Sequence, residues 1–196
     1  NRGEIKLHYS RSENASCHPA TKMIINMTTP TILEKFFAGD YRISPCATEQ
    51  DYYAMWFERE IDALAPCDMA IAGGLLADRL PWAFTAGYQA TLRNSFPMLP
   101  VGGWAAFVAT EDSKDPERYP GTTLKESGRG FELCGHKGWV AHSDLVDHLI
   151  VTVNDPGGDK RRAIGLNVER ASSGVVLSHR SQRGFLASMS QGFAQF

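Results

Sequence analysis

The sequence contains few cysteines, no excess of charge of either sign and no long uninterrupted apolar run. Its four cysteines are widely separated along 196 residues and form no Cys-x-x-Cys pair, which argues against a zinc ribbon or a thioredoxin-type site. Lys and Arg number 20 against 22 Asp and Glu, and this balance provides no field that would attract nucleic acid or an anionic membrane. The scattered thiols predict a reduced, cytoplasmic chain.

The most apolar stretch, residues 69–88, is interrupted by Asp78, Arg79 and Pro81. A membrane-spanning helix needs about 20 predominantly apolar residues, so we expect no transmembrane segment. The sequence also lacks a P-loop, a G-x-G-x-x-G turn between a strand and a helix, and a G-x-S-x-G elbow. These absences argue against nucleotide binding by a glycine-rich loop and against a serine hydrolase.

Three regions of different character divide the chain. Residues 1–26 are polar and locally basic, and we expect a disordered leader or a non-native extension there. Residues 27–100 carry apolar side chains at helical spacing, which predicts an α-helical domain. Residues 101–196 alternate in polarity, with turn residues about every ten positions, as in proteins built from short antiparallel strands. The prediction is therefore an α+β chain, with an α-helical domain followed by an antiparallel β-barrel domain.

Two helical stretches are expected within residues 27–100. The first begins behind a Thr48 N-cap and is stopped by Pro66. The second begins at an Asp68 cap and is apolar on most faces, which predicts burial by neighbours on several sides. Pro81 lies inside it and should kink or divide the helix.

Seven strands are expected in the last region. SGRG at residues 127–130 and DPGGD at residues 155–159 supply the glycines that hairpin turns require. The predicted strands are residues 104–110, 122–127, 130–135, 137–141, 147–153, 162–168 and 174–179.

Residues 135–151, GHKGWVAHSDLVDHLIV, hold three histidines at a regular spacing. His136, His142 and His148 recur every six residues, and on one straight strand they would share a face. The chain must bend after Ala141, however, and successive histidines on an extended strand would lie about 20 Å apart. Metal binding is therefore disfavoured.

The same stretch holds two acidic residues and a tryptophan. Asp144 and Asp147 are interpreted as turn or cap residues, because aspartate favours local hydrogen bonds to the main chain. Trp139 has two interpretations that the sequence leaves open: a side chain of an ordinary β core, or one wall of a binding pocket.

Three segments resemble, in order and spacing, the middle domain of the acyl-CoA dehydrogenases. They are AAFVATED, GRGFELCGHKGWVAHSDLVDHLIV and AIGLNVERASSGVVLSHRSQRGFLAS. In that family a strand ending in Thr-Glu precedes a hairpin of the form Gly-aromatic-x-Leu-x-Gly-x-Lys, followed by Trp-Ile-Thr/Ser and an apolar strand. The similarity covers residues 51–196 and includes the helical stretches, which resemble the family's N-terminal helical domain.

The resemblance implies a pocket for FAD. Ala109 and Thr110 match positions that meet the flavin pyrimidine through main-chain groups and a hydroxyl. Trp139 matches the aromatic residue that packs against the flavin, and Val140 and Ala141 match the next two pocket positions. An indole suits a flat isoalloxazine ring, which needs an apolar platform.

The implied activity is α,β-dehydrogenation of an acyl-CoA thioester, with hydride transfer to FAD. The implied partners are an acyl-CoA or related small molecule and either a second copy of the chain or a separate C-terminal helical domain. A flavin monooxygenase on the same fold and a non-catalytic scaffold remain open alternatives.

The sequence departs from the family pattern at three places. Ala141 stands where the family usually has Thr or Ser, so a side-chain hydrogen bond to the flavin is lost. Residues 112–121, DSKDPERYPG, replace a Gly-Ser-Asp segment that touches the cofactor. The family's C-terminal four-helix domain, which carries the catalytic Glu, has no counterpart here, so no catalytic residue is assigned and we expect the chain to be inactive alone.

Overall fold

The computed structural model describes residues 29–40, 43, 45–111, 121–127, 130–154, 163–181 and 184–196. Several predicted features lie outside these residues. They are the leader at residues 1–26, most of the DSKDPERYPG segment, the centre of the SGRG turn and the DPGGD turn.

The helices precede the strands in the chain. Their bounds are α1, Thr29–Phe37; α2, Glu49–Glu58; α3, Pro66–Leu76; and α4, Leu80–Ser95. The strands begin at Trp104, and the division of the chain into domains at residue 100 stays a prediction.

The start of α2 confirms the predicted N-cap. Thr48 Oγ1 accepts a hydrogen bond from Asp51 N at 3.1 Å, and the Asp51 carboxylate accepts one from Thr48 N at 2.9 Å. This reciprocal pair is a capping box, which satisfies two main-chain donors at the helix start. The helix ends at Glu58, before the predicted stop at Pro66.

Pro81 divides the second helical stretch, as predicted. It lies in the first turn of α4, and the chain leaves helical geometry between Leu76 and Leu80. The predicted Asp68 cap was wrong, because α3 already begins at Pro66. Proline fits the first helical turn, where its missing N–H has no helical partner to lose.

The described residues form eight strands, and each of the seven predicted strands is among them with its ends shifted by a few positions. The eighth was not predicted. The bounds are β1, Trp104–Val108; β2, Thr123–Ser127; β3, Gly130–Cys134; β4, His136–Ala141; β5, Val146–Asn154; β6, Ala163–Glu169; β7, Val176–His179; and β8, Gln191–Gln195.

The predicted antiparallel barrel needs correction. The described strands form three separate sheets, with orders β1-β5-β6, β2-β3 and β4-β8-β7, and no closed barrel is found among them. Moreover, β1 pairs with β5 in parallel. Turn signals such as SGRG predict pairing of neighbours in sequence, and they carry no information about the long connection between β1 and β5. The sheets instead pack around a shared apolar core to which β1, β3, β4, β5, β6 and β8 all contribute.

Four buried aromatic side chains join the helices to β1, and we call them the aromatic junction: Tyr52, Trp56, Trp82 and Trp104. The rings of Tyr52 and Trp82 stack at 5.2 Å, and Trp104 lies 6.1 Å from Tyr52 and 6.2 Å from Trp56. Tyr52 Oη donates to Gly73 O at 3.0 Å, so the buried hydroxyl is satisfied.

Candidate functional site

The end of β1 and the middle of β4 meet at the positions selected from the sequence. Gly138 N donates to Thr110 O at 2.7 Å, which places Trp139 one residue from this contact. Lys137 Nζ donates to Ala109 O at 3.4 Å. The main-chain oxygens of both Ala109 and Thr110 are thus engaged within the protein, whereas Thr110 as a whole is exposed.

The Trp139 side chain is partly buried and has a defined polar partner. Its Nε1 donates to Gln191 Oε1 at 3.2 Å, and the Gln191 amide donates in turn to Leu186 O at 3.5 Å. The indole also packs against the core cluster formed largely by the helices. We call Thr110, Trp139 and Gln191 the tryptophan edge.

Val140 and Ala141 lie inside the protein, and both are fully buried. Val140 belongs to the core shared by the sheets, and Ala141 belongs to the cluster that includes the aromatic junction. Both pair with β8, opposite Gly192 and Gln191. Ala141 therefore lies in the same cluster as Trp139, Val140 lies on the opposite face of β4, and neither side chain reaches the surface with Thr110.

A buried lysine lies beneath the same strand ends. Lys137 is 1% exposed, and its Nζ donates to Glu111 Oε1 at 2.9 Å and to Thr152 Oγ1 at 3.3 Å. Partial burial acts to raise the pKa of Glu111, but the Thr122 amide and the Lys137 ammonium outweigh it and hold that pKa below its usual value. A buried charge requires such pairing.

A second polar network joins α2 to the far ends of β4 and β8. Glu49 is 5% exposed; its Oε1 lies 2.7 Å from His142 Nδ1, and its Oε2 accepts from Ser190 N at 3.0 Å. His142 is fully buried, and its ring lies 4.6 Å from that of Trp104. Its main-chain N donates to Ser190 O at 2.9 Å, and Asp144 N donates to Ser190 Oγ at 3.0 Å.

The three histidines lie in different surroundings. The ring of His136 stacks near Phe193 at 5.8 Å, whereas His142 pairs with Glu49 in the interior. His148 lines an open cleft on the opposite end of β5 from Asn154, and burial lowers its pKa. Across the described part of the chain, no three His, Cys, Asp or Glu side chains come together as a metal site requires.

This cleft has a volume of about 530 Å³, and none of the five predicted residues lines it. Tyr53 and Asp147 form part of its wall, and Tyr53 Oη donates to Asp147 Oδ2 at 3.0 Å. The same oxygen accepts from Trp104 N at 2.9 Å. Burial, followed by the charge of Asp147, raises the pKa of Tyr53 to about 12. Asp147 thus lies in a strand and fixes the start of β1, while Asp144 lies in the predicted turn.

Sequence reasoning missed Gln191, Glu49 and Ser190. Gln191 and Ser190 belong to or adjoin β8, whose sequence QGFAQ contains no β-branched residue. For Glu49 the sequence offers one indication, which is its position in the first turn of a helix. The helix dipole stabilises an acidic side chain there. Nothing in the sequence pointed to its partners.

No family model and no curated protein matches this sequence. Solved structures do. A structure described as an FAD-dependent dehydrogenase aligns with a TM-score of 0.63 at 15% identity, over 89% of this chain and 55% of that one. The prolyl acyl carrier protein oxidase AnaB aligns with a TM-score of 0.59 at 17% identity, over 76% of this chain and 47% of that one. An acyl-CoA dehydrogenase from Bacillus anthracis, complexed with FAD, aligns with a TM-score of 0.55 at 18% identity, over 88% of this chain and 33% of that one.

These likenesses define the fold. The chain has the fold of the acyl-CoA dehydrogenases, so the resemblance in the sequence is confirmed at the level of fold. It spans about half the length, or less, of these three structures. Within the described ranges, no helix combines the length and the apolar character that crossing a membrane requires.

Proposed function

We propose that this chain is the flavin-binding part of an oxidoreductase of acyl-CoA dehydrogenase type, and that it binds FAD at the tryptophan edge. The observation that carries the proposal is the position of Trp139. Its indole is partly exposed, is held by Gln191, and lies one residue from the main-chain contact between Gly138 and exposed Thr110.

The residues present fit the ring system of a flavin in two respects. A flat aromatic ligand needs an apolar surface held in one orientation, and the hydrogen bond to Gln191 restricts rotation of the Trp139 indole. The polar rim of the ring needs donors and acceptors nearby, and the Thr110 hydroxyl supplies both at an exposed position.

The charges near this edge also suit an anionic cofactor. Arg180 is exposed, and its guanidinium donates to Gly138 O at 3.0 Å. This bond leaves other guanidinium donors for a phosphate oxygen, because arginine carries five N–H groups. Lys137 is not available for this role, since its side chain is buried and its ammonium is paired with Glu111.

The proposed chemistry is oxidation next to a thioester carbonyl. Bound FAD would supply the hydride acceptor. Trp139 and Gln191 would orient the ring, and Ala141, buried in the same cluster as Trp139, would exclude water behind the indole. The proposed substrate is an acyl thioester carried by coenzyme A or by a carrier protein, since the structural neighbours include enzymes described as acting on both. The proposal assigns no catalytic base to any residue of this chain.

The first experiment mixes the purified chain with FAD, removes unbound cofactor by gel filtration, and records the absorbance of the protein peak. We expect the flavin bands to elute with the protein. Trp139→Ala should elute without them, and Phe37→Ala, which truncates an exposed side chain on α1, should behave as the original chain. A folded but colourless original chain would overturn the proposal and would favour a non-catalytic scaffold.

A further inference from the structure

Glu49 makes two hydrogen bonds that reach the two strands of the tryptophan edge. It is the first residue of α2. One carboxylate oxygen lies 2.7 Å from His142 Nδ1 and the other accepts from Ser190 N at 3.0 Å. His142 directly follows β4, and Ser190 directly precedes β8. A single buried carboxylate therefore holds the adjoining ends of both strands.

The two strand ends are also the ones that carry the tryptophan edge. Trp139 lies three residues before His142 in the sequence, and Gln191 directly follows Ser190. Ala141 and Gln191 are partners in the β4–β8 pairing. A displacement of either strand end would therefore change the bond between Trp139 Nε1 and Gln191 Oε1.

This arrangement costs free energy of folding, and efficient packing alone would not require it. A carboxylate and an imidazole are both enclosed, although apolar residues of similar size commonly provide equal or greater stability. His142 also adopts a left-handed main-chain conformation, with φ of 56°. Such a conformation in a residue other than glycine is uncommon and persists where its surroundings enforce it.

We propose that Glu49 is a positioning residue for the cofactor site, acting through His142 and Ser190 to fix the distance between Trp139 and Gln191. The inference rests on the proposed function, because it assigns a role toward the same FAD site. Glu49 does not touch the cofactor in this proposal. The helix dipole at the start of α2 favours its negative charge and so helps to keep it bonded to both partners.

The test compares four variants of the full chain. Glu49→Ala and His142→Ala remove the link. His142→Asn keeps a side-chain donor and a residue that tolerates the left-handed conformation. Gln89→Ala is the matched control, because Gln89 is also buried and also joins a helix to a strand, through two 2.9 Å bonds with the main chain of Ala105.

The readouts are the Kd for FAD and the visible spectrum of the bound flavin, measured where far-UV circular dichroism shows each variant folded. We expect Glu49→Ala and His142→Ala to weaken FAD binding by about tenfold or more, the size of effect seen when a residue that orients a metal ligand is lost. His142→Asn should recover most of the affinity and the original spectrum. Gln89→Ala should lower the melting temperature while leaving the Kd for FAD and the flavin spectrum unchanged.

Equal weakening of FAD binding by Gln89→Ala and Glu49→Ala would overturn the positioning role, because it would make the effect one of general stability. Unchanged affinity in Glu49→Ala and His142→Ala would overturn it as well. If the original chain binds no FAD, the proposed function is overturned. Whether Glu49 fixes the position of Trp139 is then decided by the chemical shift of the Trp139 indole N–H. A change of that chemical shift in Glu49→Ala and not in Gln89→Ala would support the positioning role of Glu49, and no change would overturn it.

Discussion

The aromatic junction and the tryptophan edge are both built around a tryptophan on a β-strand, and they differ in how completely that side chain is enclosed. Trp104 is 1% exposed and lies within 6.2 Å of Tyr52, Tyr53 and Trp56. Trp139 is only partly buried, and its Nε1 donates to Gln191 Oε1.

This difference indicates which of the two regions contributes more to the stability of the fold and which is better suited to bind a ligand. Enclosure on all sides removes the most apolar surface from water and leaves no face for a ligand. Partial enclosure by fixed neighbours leaves part of a restrained aromatic ring accessible, and a flat ligand requires such access. We therefore expect the junction to dominate the free energy of unfolding and the edge to dominate cofactor affinity.

The largest expected effect is that of Trp104→Ala. Truncation of a fully enclosed tryptophan costs about 3–5 kcal/mol, because apolar burial is lost and a cavity remains. Urea denaturation of the variant and the original chain measures the difference. Phe37→Ala, at a position that is 81% exposed, should change stability by less than about 0.5 kcal/mol. Similar losses in the two variants would contradict the assignment of the junction as the stabilising centre.

The second prediction uses adjacent glycines of α3. A Cβ at Gly73 would lie 2.6 Å from Trp56 Cζ3 and 2.8 Å from Ala86 Cβ, whereas a Cβ at Gly74 would meet nothing within 4 Å. Gly73→Ala should destabilise the chain by about 1–3 kcal/mol through overpacking. Gly74→Ala should stabilise it by about 0.4–1 kcal/mol, because alanine restricts the unfolded chain. Thermal unfolding of both variants checks the opposite signs, and equal signs would refute the close packing of α3 on the junction.

A smaller loss of stability is expected for Trp139→Ala. Because this indole is only partly buried, its removal should cost about 1–2 kcal/mol, less than the cost at Trp104. Urea denaturation without cofactor measures this value. A loss of unfolding free energy as large as that of Trp104→Ala would show that both tryptophans stabilise the core equally. The aromatic junction and the tryptophan edge would then not differ in their contribution to stability.

The smallest effect is a change in pH dependence at Glu111. Its pKa in the folded chain lies below the ordinary value of 4.5, so its contribution to stability is present above that pH and is lost as the pH falls through the lower, folded value. We expect the free energy of unfolding to fall more steeply in acid for the original chain than for Glu111→Gln. Parallel pH curves for the two proteins would exclude a contribution from the bond to Lys137.

Local signals explain what the sequence could predict of the fold. The Thr48 cap depends on residues within one helical turn, and the division at Pro81 depends on one ring that fits the first turn of a helix. The seven strands were found because alternation and turn residues are also local. The parallel pairing of β1 with β5 was missed because it depends on a connection whose course no local pattern reports.

The residues of the candidate site stay predictions. The resemblance to the family selected Trp139 and Thr110, and the bond between Gly138 N and Thr110 O brings these neighbouring positions together. Gln191 could not be found, because QGFAQ becomes a strand through pairing with β4 and β7 rather than through its own propensity. Glu49 was equally hidden, since its partners lie 93 and 141 residues away.

Those separations have a consequence for the order of assembly. During synthesis from the N-terminus, α2 emerges from the ribosome long before His142 and Ser190, so the Glu49 carboxylate stays hydrated until these two residues have been synthesised. Contacts between residues this distant in sequence carry a large loop-closure cost and form slowly. We therefore expect the attachment of α2 to the ends of β4 and β8 to be a late folding event, and the tryptophan edge to mature only after the helices and the first sheet have formed.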